Sequence, residues 1–179
     1  MTTIRTDVVK LGDTYGTVIG DDVAVGQQAP EFTSSAFNWA PVNPIAESRG
    51  KVAILSSVPS LDTSVCDRET RRFNQEAASL ADDIIIWTIS TDFPMAQKRW
   101  CGAAGVEQVR VVSDVLSTEF GEKYGLLVVE RRFLRRAVFV VNREGVLTYV
   151  AYMRHNGLEP DYDEVIQAAK DALHDQDGR

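Results

Sequence analysis

Apolar positions along the chain fall into two patterns. The runs KVAILSSV (51–58), DIIIWTIS (83–90), VRVVS (109–113) and RAVFVVN (136–142) are nearly unbroken, as in strands covered on both faces. GVLTYVAY (145–152) follows RAVFVVN after Arg143 and Glu144, which predicts a hairpin. Between these runs the spacing becomes helical. Cys66, Phe73, Ala77 and Leu80 mark a helix over 63–81. Pro94 opens a second helix, PMAQKRWCGAAG, which ends near Gly102 and Gly105. STEFGEKYG (117–125) predicts a short helix with Ser117 as its cap. DYDEVIQAAKDAL (161–173) predicts an amphipathic helix capped by Asp161, followed by a frayed tail, HDQDGR. At the other end, DVVKLGDTYGTVI (7–19) predicts a hairpin turning at Gly12 and Asp13. VGQQAPEF (25–32) predicts a turn into an extended stretch, and residues 33–50 carry no clear period.

Strands alternating with helices imply parallel pairing, and the final hairpin adds an antiparallel edge. The expectation is one α/β domain over 1–179, a central mixed sheet flanked by helices with an N-terminal β-hairpin. In open sheets of this kind reactive groups collect beyond the carboxyl ends of strands. Cys66 lies eight residues beyond the run 51–58, where the next helix begins.

The 179 residues suit one domain with a sizeable core, and 44% hydrophobic with 25% charged is an ordinary globular balance. A net charge of −7 argues against a nucleic-acid or anionic-membrane surface. No apolar run approaches the roughly 20 residues of a membrane span. The start, MTTIRTDVVKLGDT, does not read as a signal peptide, so the expected compartment is the cytoplasm. The two cysteines, Cys66 and Cys101, are too few for a disulfide scaffold. No metal site is expected either, because His155 and His174 do not cluster with them.

A cysteine kept for packing belongs among apolar neighbours, but Cys66 stands in PSLDTSVCDRE. At a helix start the first-turn amides carry about half an elementary charge and favour a thiolate. Thr63 is a good cap, and its position three residues before Cys66 can place hydroxyl and sulfur around one pocket. Pro59 stiffens the loop and removes an amide donor. Asp62, Asp67 and Glu69 have the wrong sign for a counter-charge. ERRFLRRAV supplies four arginines, and Arg136, at a strand start, is the best placed to point inward with a permanently charged fork.

PSLDTSVC resembles the peroxiredoxin signature P-x-x-x-T-x-x-C, as Pro59, Thr63 and Cys66. STDFPMAQKRWCGAAG (90–105) is similar to the resolving-cysteine segment of the atypical two-cysteine thiol peroxidases of bacteria. VGQQAPEF, RAVFVV (136–141) and EPDY (159–162) extend the resemblance over about residues 8–173. It implies a thioredoxin-like fold, a homodimer and no cofactor. It implies a peroxidatic Cys66, a resolving Cys101 in the same chain, and peroxide binding by Thr63 and Arg136 under Pro59. The substrates are then hydrogen peroxide and organic hydroperoxides, and thioredoxin is the reductant. Two segments depart from the family pattern. LLVVERRFLR (126–135) is short and lacks a glycine, and YMRHNGL lacks an acidic residue.

Three other readings share parts of this pattern. A dithiol oxidoreductase would need closer cysteines than a 35-position gap. A thioredoxin-like binding module would carry inert thiols. A peroxide sensor would share the chemistry and pass its oxidation to a partner.

Overall fold

A computed structural model describes residues 2–80 and 82–174. The expected tail after His174 and the end of the 63–81 helix at Ala81 lie outside the described residues. In chain order the elements are β1 (Ile4–Leu11), β2 (Thr14–Ile19), β3 (Ser34–Ser35), β4 (Pro41–Val42), α1 (Pro44–Glu47), β5 (Val52–Ser57), α2 (Ser64–Ala77) and β6 (Ile84–Ser90). They continue with α3 (Pro94–Ala104), β7 (Arg110–Ser113), α4 (Glu119–Lys123), β8 (Leu127–Val128), β9 (Phe133–Leu134), β10 (Ala137–Val141), β11 (Leu147–Tyr152) and α5 (Tyr162–His174).

Among the described residues, seven strands form the main sheet in the order β11-β10-β5-β6-β7-β3-β4. β5, β6 and β7 are parallel, whereas β10 and β11 run antiparallel. The unbroken apolar runs have a direct cause in this arrangement. Along β5, Ala53 and Leu55 face one core, while Val52 and Ile54 face the other. β10 divides likewise, with Phe139 in the first core and Val138 and Val140 in the second. Residues from α2, α3 and α5 close the second core, and Ile45 of α1 with Phe120 of α4 belongs to the first. Each fully buried Leu, Ile or Phe stabilises the sheet by about 1.5–3 kcal/mol.

The predicted hairpin is present and starts three residues before Asp7, at Ile4. It is not a free arm. β8 and β9, from the glycine-free segment 126–135, extend it: β8 pairs with β2 and β9 with β8, which makes a second sheet in the order β1-β2-β8-β9. Val9, Leu11, Val18 and Val128 form its small core. Gly20 fits where the hairpin meets α4, because its φ is 92° and a Cβ would lie 1.8 Å from the Glu122 carbonyl oxygen.

Of the two caps expected here, one differs. Thr118, not Ser117, is the cap residue of α4, and the buried Asp114 carboxylate accepts from the amides of Phe120 (3.1 Å) and Gly121 (2.8 Å). Burial pushes the Asp114 carboxyl up to about 7, against those two bonds. Asp161 does cap α5, accepting from the Glu164 amide at 3.0 Å. Among the described residues no helix is long and apolar enough to cross a membrane.

Candidate active site

β5 delivers the chain into the loop that opens α2. Val58 still bonds to Ile89 across the sheet, and Pro59 is buried behind it. The Ser60 carbonyl then accepts from the Thr63 amide at 3.1 Å and the Thr63 hydroxyl at 2.9 Å. Thr63 is the cap residue of α2 with extended backbone, φ −94° and ψ 144°, yet its side chain bonds no amide of the helix. The hydroxyl lies instead 2.8 Å from Cys66 Sγ. It has one proton and two acceptors. It donates to the sulfur when the sulfur is anionic, and to Ser60 when the sulfur carries its own proton. Cys66 is fully buried in the first turn of the helix, where the amides of Ser64, Val65 and Cys66 have no intrahelical acceptor.

The second donor comes from the strand beside β5. Ala137 pairs with Ser57, which sets Arg136 at the mouth of the sheet. Alternation sends Arg136 to the α2 side and Arg135 to the other. Arg136 Nη2 lies 3.1 Å from Cys66 Sγ and 3.0 Å from the Asn156 carbonyl, which also accepts from Nε at 3.2 Å. Nη1 lies 2.5 Å from Glu69 Oε2, and the Ser56 hydroxyl donates to Glu69 Oε1 at 2.8 Å. Burial works to lower the Arg136 pKa, but Glu69 and the Cys66 sulfur outweigh it and hold the guanidinium charged. Burial pushes the Glu69 carboxyl up, opposed by Arg136 and Ser56. Arg135 instead pairs with Asp22 at 2.9 Å and lies 4.2 Å from the Tyr152 ring, tying the hairpin to the main sheet.

Cys101 lies on α3, 8% exposed, in the same apolar cluster as Cys66. Both thiols are free. Burial pushes the Cys101 thiol up to about 11. The two helices are clipped together beside them. Trp100 donates to Asp67 at 3.2 Å, and Arg71 donates to the Ala104 carbonyl at 3.0 Å with its guanidinium 5.7 Å from the Trp100 ring.

Cys66, Thr63 and Arg136 thus converge on one sulfur. Cys101 shares their cluster without a bond to Cys66, and Pro59 belongs to the loop wall. The sequence reading missed Glu69, Ser56 and Asn156. For Glu69 a signal existed. It lies three residues after Cys66, within the buried stripe Cys66, Glu69, Thr70 and Phe73, and a carboxylate there needs a cation.

A sulfur placed at a helix start between a hydroxyl and a guanidinium, on a thioredoxin-like scaffold, defines a thiol-based redox enzyme. Sequence comparison gives the same class. A profile of the Redoxin family matches residues 24–166. The thiol peroxidase of Halalkalibacterium halodurans is 48% identical over 157 residues, which is 88% of this chain and 93% of that protein. The thiol peroxidase of Bacillus subtilis is 46% identical over 86% of this chain and 91% of its own length. Among solved structures, a peroxiredoxin-like protein from Aquifex aeolicus is 33% identical, covers 96% of this chain and 98% of its own, and superposes with a TM-score of 0.84. The chain belongs to the Redoxin family, and it is a thiol-dependent peroxidase.

Proposed function

We propose that Cys66 is the peroxidatic thiolate, Cys101 the resolving thiol of the same chain, and hydrogen peroxide and organic hydroperoxides the substrates. The observation that carries this reading is the pair of donors on one buried sulfur, Thr63 at 2.8 Å and Arg136 at 3.1 Å. Both are fixed before substrate arrives, Arg136 by Glu69 and Asn156, Thr63 by Ser60. Donors held in place need no reorganisation as charge moves onto the peroxide oxygens. Pro59 walls the pocket.

The Cys66 thiolate attacks the terminal peroxide oxygen and the O–O bond breaks. The leaving oxygen takes a proton and departs as water or alcohol, and Cys66 becomes a sulfenic acid. The Cys101 thiol condenses with it, water leaves, and a disulfide forms. A dithiol then reduces the bond by exchange, which restores the Cys66 and Cys101 thiols and leaves the dithiol oxidised to a disulfide. Thioredoxin is the dithiol that resemblance to the atypical two-cysteine enzymes implies. Both cysteines sit in regular helix, and their union needs a Cα separation under about 7 Å; the proposed step opens the start of α2 to reach it. A homodimer fits the exposed apolar group Trp39, Phe93, Met95 and Leu116, in which Trp39 and Phe93 already approach to 6.1 Å. A reducing cytoplasm suits an enzyme with both thiols free at rest.

The test is mass spectrometry after one equivalent of hydrogen peroxide. The expected product has lost two hydrogens and carries a Cys66–Cys101 link within one chain. Normal turnover of Cys101→Ser with thioredoxin would remove the resolving role.

A further inference from the structure

A carboxylate outside the pocket ties the two cysteine segments together. Asp92 lies between β6 and α3, two residues beyond Ser90 and two before Pro94. Its Oδ1 accepts from the Ser60 hydroxyl at 2.7 Å, and its Oδ2 accepts from the Leu61 amide at 2.9 Å and the Ser90 hydroxyl at 2.7 Å. Its own carbonyl accepts from Ser113 at 2.5 Å. The buried Gln97 side chain, one turn into α3, donates to Ser90 Oγ at 3.0 Å and to the Val112 carbonyl at 2.9 Å. Ser60, in turn, is the residue whose carbonyl accepts from the Thr63 amide at 3.1 Å, which places the Thr63 hydroxyl against the sulfur. An unbroken path of hydrogen bonds therefore runs from the Cys101 helix through Gln97, Ser90, Asp92, Ser60 and Thr63 to the Cys66 sulfur.

We propose that Asp92 is a positioning residue of the peroxidase, a latch that holds the loop 58–63 ready for attack on peroxide and must release before the cysteines join. The proposal rests on the roles given above to Cys66 and Cys101. Hydrogen bonds to a carboxylate are roughly twice as strong as neutral ones, and Asp92 directs two of its three at the loop before α2. Closed, the latch fixes Ser60 and with it Thr63 against the sulfur. The disulfide needs the opposite condition, because the start of α2 has to leave its helical path. The same three bonds thus favour the first chemical step and oppose the second. A purely structural tether would not separate the two steps in this way.

The two steps can be timed apart with hydrogen peroxide as the probe. Sulfenic acid formation is followed by dimedone trapping in the Cys101→Ser background, and disulfide closure in chains that keep Cys101. Asp92→Ala is expected to slow sulfenic acid formation about tenfold, the size of one lost charged hydrogen bond, and to speed closure several-fold. Ser60→Ala and Asp92→Asn, which disturb less, should move both rates in the same senses by smaller factors. They carry the test if Asp92→Ala does not fold. Two rates that fall together, or two that stay put, overturn the latch. A wild-type chain that forms no Cys66–Cys101 disulfide overturns the cysteine roles beneath it. Normal wild-type closure with unmoved variants overturns the latch alone.

Discussion

Thr63→Val separates the two things a threonine can do at a helix start. Valine keeps the volume and the β-branch and removes only the hydroxyl. In this protein the hydroxyl touches Cys66 Sγ at 2.8 Å and the Ser60 carbonyl at 2.9 Å, and no amide of α2. A hydrogen bond to a charged partner contributes about 1.5–3 kcal/mol. At about 1.4 kcal/mol per factor of ten, its loss should slow sulfenic acid formation by about ten- to a hundredfold. The loss of a true cap would instead cost about 0.5–2 kcal/mol of stability. In a Cys66→Ala background, where no thiolate can form, only the exposed bond to Ser60 is lost from the fold, so the urea midpoint should move little. The assay is stopped-flow oxidation by hydrogen peroxide in the Cys101→Ser background, beside equilibrium urea unfolding. Thr63→Ser, which keeps the hydroxyl, should retain most of the rate. An unchanged oxidation rate with a cap-sized drop in stability would assign the hydroxyl to the backbone and remove it from the chemistry.

Arg136→Met strands the buried Glu69 carboxylate and should lower stability by about 3–5 kcal/mol in urea unfolding, with Glu69→Gln in the double variant recovering part of it. The Cys101 thiol, pushed up to about 11 by burial, should alkylate with iodoacetamide far more slowly in the folded chain at pH 8 than in denaturant; equal rates would contradict its burial. Asp114, raised from 3.8 to about 7, binds a proton more tightly folded than unfolded. Its destabilising contribution therefore grows as pH rises from about 4 to 7 and is complete above that. The stability of wild type relative to Asp114→Asn should accordingly fall by about 2 kcal/mol between pH 5 and pH 7.5. A gap independent of pH would contradict the shift.

The main strands and the Cys66 pocket were largely legible in the sequence. Unbroken apolar runs marked β5, β6 and β10 because both faces of each are covered. Cys66 stood out because a polar run is the wrong place for a packing cysteine. Thr63 reads both as a cap and as a pocket group; it does hold the cap position of α2, but its hydroxyl contacts the Cys66 sulfur and Ser60 instead of a helix amide. What stayed hidden had specific causes. Two-residue strands such as β8 and β9 are too short to show a period, so the segment 126–135 read only as a shortened loop. The negative charge of Glu69 hides its role, because the sequence does not display the Ser56 hydroxyl and the Arg136 fork that surround it. Asn156 contributes through its main-chain carbonyl, which any residue type could supply. Asp92 lies within STDFPMAQKRWCGAAG, but its partner Ser60 lies 32 positions earlier.

The adjoining arginines at the head of β10 have a consequence for how this chain tolerates change. Arg135 belongs to the hairpin side and Arg136 to the sulfur side, one peptide apart. Deleting or inserting a single residue immediately upstream, with the strand re-pairing to compensate, would flip every side chain of the strand head to the opposite face and part Arg136 from both the sulfur and Glu69. Length variation must therefore be absorbed before Arg135, in the β8–β9 turn, where the chain is exposed and the ladder only two residues long.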